Sequence, residues 1–200
     1  MRYVYALMWA FLVVEGVFFA PTHIDTEQLW NMIMGQYEGI NPALVSLFMM
    51  MGLHPMLCAA YLWEYKSKPS YIPFCMGSFF LGCFALLPFL FFRSIQHRKI
   101  SFWTSANLPS IAILIGFVFF LAYGMTGDIS SFHQTFQEDN FVHIMSLDFL
   151  VFVVVASLLS VEDGRRYGKK YSILALIPLF GPLIWLCIRK EEDLVEHSPS

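Results

Sequence analysis

The sequence predicts an all-α integral membrane protein built from six hydrophobic helical segments. Three observations carry that prediction. Of 200 residues 58% are hydrophobic and only 14% charged, where a soluble domain carries about a quarter charged residues. The apolar residues gather into six unbroken runs, and the mean hydropathy is +0.61. The stretches between the runs are too short to hold a soluble domain. The same composition excludes a disordered chain and a disulfide scaffold. A net charge of −3 offers no basic domain to nucleic acid.

The first segment runs from Val4 to Ala20. A membrane helix needs about 20 residues, range about 17–25, to cross a hydrocarbon core of about 30 Å. Lipid supplies no partner for open backbone groups, so the runs must be helical. Met1-Arg2 before an apolar run has the outline of a signal peptide. Glu15 within the run and Pro21 at the first mature position oppose cleavage, so a retained helix is expected.

Asp25-Thr26-Glu27-Gln28 then has capping-box spacing, and Leu29, Trp30 and Ile33 follow. That pattern predicts a short helix at the membrane interface, where Trp is favoured. Asn41-Pro42 opens the second segment, Pro42–Trp63, in cap-then-proline order. The third and fourth segments are Tyr71–Phe92 and Asn107–Thr126. Between Asp128 and Asn140 a second interfacial helix is expected, with Ser131 as its cap and Phe132 and Phe136 on one face. Phe141–Val161 and Ser172–Ile188 complete the six. Residues 1–190 are read as one membrane domain, and 191–200 as a short acidic cytoplasmic tail.

The halves share an outline: apolar helix, acidic connection, second helix, basic connection, proline-bearing third segment. Either a three-plus-three repeat of the transporter kind or mere likeness of apolar composition accounts for it. Charge bears on the choice of topology. If all six segments span from a cytoplasmic N-terminus, Arg2, Lys66, Lys68, Arg189 and Lys190 fall inside and the other seven basic residues outside. That split runs against the positive-inside tendency. If the third and sixth segments are re-entrant, all 12 basic residues fall on one side. Pro88, and the Pro178, Gly181 and Pro182 cluster, are the expected breaks.

Glu15, His54, His143 and Asp148 are the candidate intramembrane polar site. A charge at a helix centre costs about 2.5–3.5 kcal/mol on insertion scales, so such groups face the protein interior. Each also has a structural reading: Glu15 near its helix end, His54 serving carbonyls freed by Pro55, Asp148 bonding another helix. His143 and Asp148 do not form a dyad, because five residues at about 100° set them roughly 140° apart. No metal or cofactor is expected, since nothing completes a ligand set around His54 and His143. Cys58, Cys75, Cys83 and Cys187 all lie in apolar runs and are read as packing residues. Asp163, Arg165 and Arg166 form a candidate headgroup-level site, with Lys169 and Lys170 beyond, in a loop suited to anionic lipid; its ordinary reading is a positive loop that sets topology.

Four strings together carry a resemblance: Gly35–Pro42, Phe84–Phe89, Phe141–Phe149 and Ile177–Leu186. In this order and spacing the chain, from about Tyr5 to Lys190, resembles an uncharacterised family of small polytopic membrane proteins best known from cyanobacteria and plastids. Glu162-Asp163-Gly164-Arg165-Arg166 resembles, in altered form, that family's acidic pair and basic pair. The resemblance implies a shared fold and a shared site near His143, Asp148 and Asp163, with no activity attached. Ile177–Leu186 by itself also resembles the membrane segment that precedes the catalytic part of cardiolipin synthases, a part this chain lacks.

Three functions are expected in falling order. The first is a non-enzymatic organising or assembly factor for a membrane complex, with other membrane subunits and anionic lipid as partners. The second is a small transporter or permease subunit using the intramembrane Glu, His and Asp. The third is an intramembrane enzyme acting on a lipid or isoprenoid. The expected location is a bacterial inner membrane, or a thylakoid or plastid membrane in a photosynthetic host.

Overall fold

The computed structural model describes residues 2–63, 65–97, 107–167 and 177–188. They are predominantly helical. The first helix, α1 (Arg2–Val14), continues as a π-helical turn, Glu15–Phe19. Then come α2 (Thr26–Ile33), α3 (Pro42–Leu62), α4 (Ile72–Leu81) and α5 (Cys83–Phe92). The second half holds α6 (Asn107–Gly124), α7 (Ile129–Glu138), α8 (Asn140–Tyr167) and α9 (Phe180–Ile188). Two short strands, β1 (Tyr65–Lys68) and β2 (Ser94–His97), flank α4 and α5.

Among the described residues, three helices are long and apolar enough to cross a membrane: Arg2–Phe19, Pro42–Leu62 and Asn140–Gly164. Pro109–Gly124 makes a fourth if taken with α7, from which it is bent by 98°. Both short amphipathic helices form where the sequence predicts them. Asp25 caps α2 by accepting from the Gln28 N–H at 2.9 Å. The cap of α7 is Asp128 rather than Ser131; its two oxygens accept from the N–H groups of Ser130 and Ser131, each at 3.1 Å. A carboxylate reaching two orphan donors outcompetes a hydroxyl one turn further in. Asn41 caps α3 as expected, accepting from the Ala43 N–H at 3.0 Å.

The third apolar segment is two helices, broken at Gly82 (φ 54°, ψ −140°) and not at Pro88. Pro88 lies inside α5, where it leaves the Phe84 carbonyl without its helical donor. The Trp9 indole N–H of α1 serves that carbonyl at 3.2 Å. Strands β1 and β2 pair antiparallel, Lys68 opposite Ser94 and Tyr65 opposite His97. The two ends of the segment therefore lie side by side, and α4 and α5 form a helical hairpin. Each arm has ten residues, about 15 Å at 1.5 Å per residue, or half a hydrocarbon core.

Of the last segment only residues 177–188 are described. Helix α9 has nine residues, preceded by Pro178 and by Leu179 at φ 66°; residues 168–176 lie outside those described. Nine residues reach about 14 Å, too short to span.

The core sits where α3 and α8 cross, with α1 against α5 and α6 against both α3 and α9. Leu57, Leu86, Phe117, Phe152, Val155 and Leu183 are fully buried there. Helices α3 and α6 approach closely: Ser46 donates to the Phe120 carbonyl at 2.6 Å, and a Cβ on Gly124 would collide with Ser46. Small residues permit such contact between membrane helices.

The two acidic connections meet at one end of the bundle. The Asn140 N–H donates to the His23 carbonyl at 2.7 Å, and its amide to the Pro21 carbonyl at 2.6 Å. Asp25 N–H donates to Asp139 at 2.6 Å, and the Asn41 amide to the Asp128 carbonyl at 2.7 Å. Six alternating spans would carry these connections to opposite ends. The β1–β2 ribbon follows α3 and α5 at the other end, beside the start of α1, where the Arg2 guanidinium donates to the Arg93 carbonyl at 3.1 Å.

Candidate functional site

The predicted intramembrane residues fall at three separate places. Asp148 is buried in α8 and points at the hairpin tip. Both its oxygens accept from the Cys83 N–H, at 2.9 and 3.1 Å. Cys83 opens α5, so this N–H is one of the donors a helix start leaves unpaired, at its positive end. The carboxylate can come this close only because residue 82 is glycine. A Cβ there would run into the carboxylate, and its positive φ is disfavoured for any other residue.

His54 is fully buried in α3. Its Nδ1 lies 2.8 Å from the Met50 carbonyl. A carbonyl only accepts, so Nδ1 carries the hydrogen and Nε2 is left a bare acceptor. The carbonyl served lies one residue before the one freed by Pro55. Three phenylalanine rings, Phe117, Phe149 and Phe152, surround the imidazole at 5.0, 5.1 and 4.9 Å, and Nε2 finds no hydrogen-bond partner among the described residues.

Glu15 and His143 do come together, near the acidic end. Glu15 opens the π-helical turn of α1, and its carboxylate lies 4.0 Å from His143 Nε2. The His143 ring stacks on Phe136 at 4.5 Å, and its Nδ1 lies 3.2 Å from the Phe136 carbonyl. At 4.0 Å the pair is an electrostatic contact and not a hydrogen bond. A proton can pass between such groups through one water or a small rotation. Asp148, five residues on, faces the hairpin instead, so the two do not form a dyad.

At the ribbon end, two adjacent carboxylates of α8 hold two different elements. Glu162 pairs with Arg93, the buried residue that ends α5. Asp163, also buried, accepts from the Trp185 indole of α9 at 2.8 Å. The Tyr61 hydroxyl of α3 donates to the Pro182 carbonyl of α9 at 2.5 Å. Arg165 and Arg166 lie in the last turns of α8, their side chains outside those described; Lys169 and Lys170 lie outside the described residues altogether.

His143, Asp148 and Asp163, grouped by the family resemblance, are thus strung along one helix, Asp163 about 22 Å beyond Asp148 at 1.5 Å per residue. Sequence reasoning missed Gly82 and the Arg93–Glu162 pair. The signals were a glycine midway through an apolar run and an arginine immediately after it. Among the described residues, no group of three or more His, Cys, Asp or Glu side chains could hold a metal ion. No family model, no curated protein and no solved structure matches the chain.

Proposed function

We propose that this chain is a multi-pass membrane protein that organises or assists assembly of a membrane complex and catalyses no reaction itself. The observation that carries this reading is how its interior carboxylates are engaged. Asp148 caps α5, Glu162 holds Arg93, and Asp163 holds Trp185. Groups fastened in this way serve architecture before chemistry. Outside, α1 and the π-helical turn that continues it present Tyr3, Leu7, Phe11, Phe18 and Phe19 as an exposed apolar flank, suited to lipid or to a neighbouring membrane subunit. Purification in a mild detergent tests the reading. A stable stoichiometric partner supports it, and a protein recovered alone from its native membrane contradicts it.

The topology that goes with this reading has four crossings, α1, α3, α6 and α8. The α4–α5 hairpin dips into the membrane and returns, and α9 lies at the same end. The basic end then faces the cytoplasm, which accords with the positive-inside tendency. The family resemblance, a repeat of the two halves, and a bacterial inner or thylakoid membrane location belong to the same proposal.

One observation favours a second reading, a small transporter or permease subunit. Glu15 and His143 face each other at a π-helical turn, and π-helical turns are frequent at functional sites. Loss of proton-coupled uptake in reconstituted vesicles on Glu15→Gln, with the fold intact, would establish it.

A further inference from the structure

A groove of about 290 Å³ runs between α3 and α4 on the outside of the bundle. Pro55, Ala59 and Trp63 form its α3 wall, and Tyr71, Cys75 and Phe79 its α4 wall. Each set is spaced by four residues, so each wall is one straight stripe along its helix. The stripes are antiparallel: Trp63 and Tyr71 meet at the ribbon end, Pro55 and Phe79 at mid-depth. Eight residues of helix give the groove a length of about 12 Å, most of one leaflet of the hydrocarbon core. Among the described residues, no charged one lines it.

What stands at its mouth differs. Trp63 is half exposed, and aromatic rings of this kind settle at the headgroup layer. Lys68, exposed on β1, lies five residues beyond Trp63, and Lys66 belongs to the same strand. Arg93, on the other side of the ribbon, is taken up by Glu162, and the Arg2 guanidinium is spent on the Arg93 carbonyl, so Lys68, three residues before Tyr71, is the exposed described cation nearest the mouth in sequence.

We infer that the α3–α4 groove is a binding site for one anionic phospholipid, its acyl chain lying along the two helical stripes and its phosphate at Lys68. Apolar walls of leaflet length fit a chain, and a cation with interfacial aromatics at one end fits an acidic headgroup. The inference rests on the bundle standing in a bilayer with the ribbon at one headgroup layer; it does not depend on the assembly role.

Native mass spectrometry of the full chain, purified in detergent and mixed with equal phosphatidylglycerol and phosphatidylcholine of the same acyl composition, tests it. The wild-type chain retains one phosphatidylglycerol in preference to phosphatidylcholine. Lys68→Gln lowers that preference about fivefold, the effect of one basic residue at an anionic surface. Ala59→Trp, which fills the groove, abolishes the retained lipid. Equal retention of the two lipids by the wild-type chain means annular lipid only and overturns the inference. So does an undiminished preference in Lys68→Gln, an exposed position whose replacement leaves packing intact. Side labelling of the ribbon reports topology separately, so failure of lipid retention and failure of the membrane orientation are distinguishable.

Discussion

The carboxylate of Asp148 occupies the space in which residue 82 would carry a Cβ, and from there it caps the first turn of α5 through Cys83. One acidic residue on α8 and one missing side chain at the hairpin tip thus define a single joint. Removing the acceptor with Asp148→Ala should cost about 1–3 kcal/mol, the penalty for leaving a buried backbone donor unmet. Gly82→Ala should cost at least as much, through the collision and the positive φ together. The double variant should lose less than the sum, because removing Asp148 relieves the collision. Thermal unfolding in detergent measures all three; strict additivity would show that the two positions do not meet.

Arg93 and Glu162 should behave as a buried pair with one wetter partner. Arg93 is 4% exposed and Glu162 23%. Glu162→Gln leaves a guanidinium buried without its counter-charge and should cost about 3 kcal/mol, near the low end for breaking such pairs. Replacing both with apolar residues, Arg93→Met with Glu162→Leu, should cost less than Glu162→Gln alone. A double variant worse than the single would place the stabilisation in the charges themselves.

The acidic end is held by Asp139 more than by either helix cap. Asp139 accepts from Val142 N–H at 2.8 Å at the start of α8 and from Asp25 N–H at 2.6 Å across the two connections. Asp139→Ala removes both and should cost about 2 kcal/mol, against about 1 kcal/mol for Asp128→Ala. Hydrogen exchange should quicken at residues 23–25 in the first variant only. Unchanged protection there would detach Asp139 from the first connection.

Much of this architecture was legible, and the reason differs by element. Asn41-Pro42 and Asp25-Thr26-Glu27-Gln28 declare helix starts because capping is local chemistry, and both formed as read. Ser131 misled because Asp128, three residues earlier, has a better acceptor for the same donors. The break at Gly82 was hidden: Pro88 is the stronger helix breaker in isolation, but Trp9, far away in sequence, supplies the donor its neighbour Phe84 needs. Of the candidate-site residues, His54, Asp148 and Asp163 are buried while Glu15 and His143 are partly exposed, and they do not form one group. Glu15 and His143 meet through the packing of α1 beside α8, and Asp148 meets a backbone N–H that no residue type advertises.

Glu15 and His143 should be nearly neutral for stability. Both are partly exposed and 4.0 Å apart, so Glu15→Gln should cost under about 1 kcal/mol. On the assembly reading, partner recovery in detergent is also unchanged. Loss of the partner with an unaltered Tm would make this pair part of the interface.

The central claim is that the third apolar segment returns to the side it left. In a background with the native cysteines replaced, single cysteines at the exposed positions Ser70 and Ser94, and at Glu27 and Ser130 of the acidic end, can be labelled with an impermeant maleimide from one face of sealed vesicles. The hairpin predicts that Ser70→Cys and Ser94→Cys react from the same face, and that Glu27→Cys and Ser130→Cys both react from the opposite one. Labelling of positions 70 and 94 from opposite faces would contradict it.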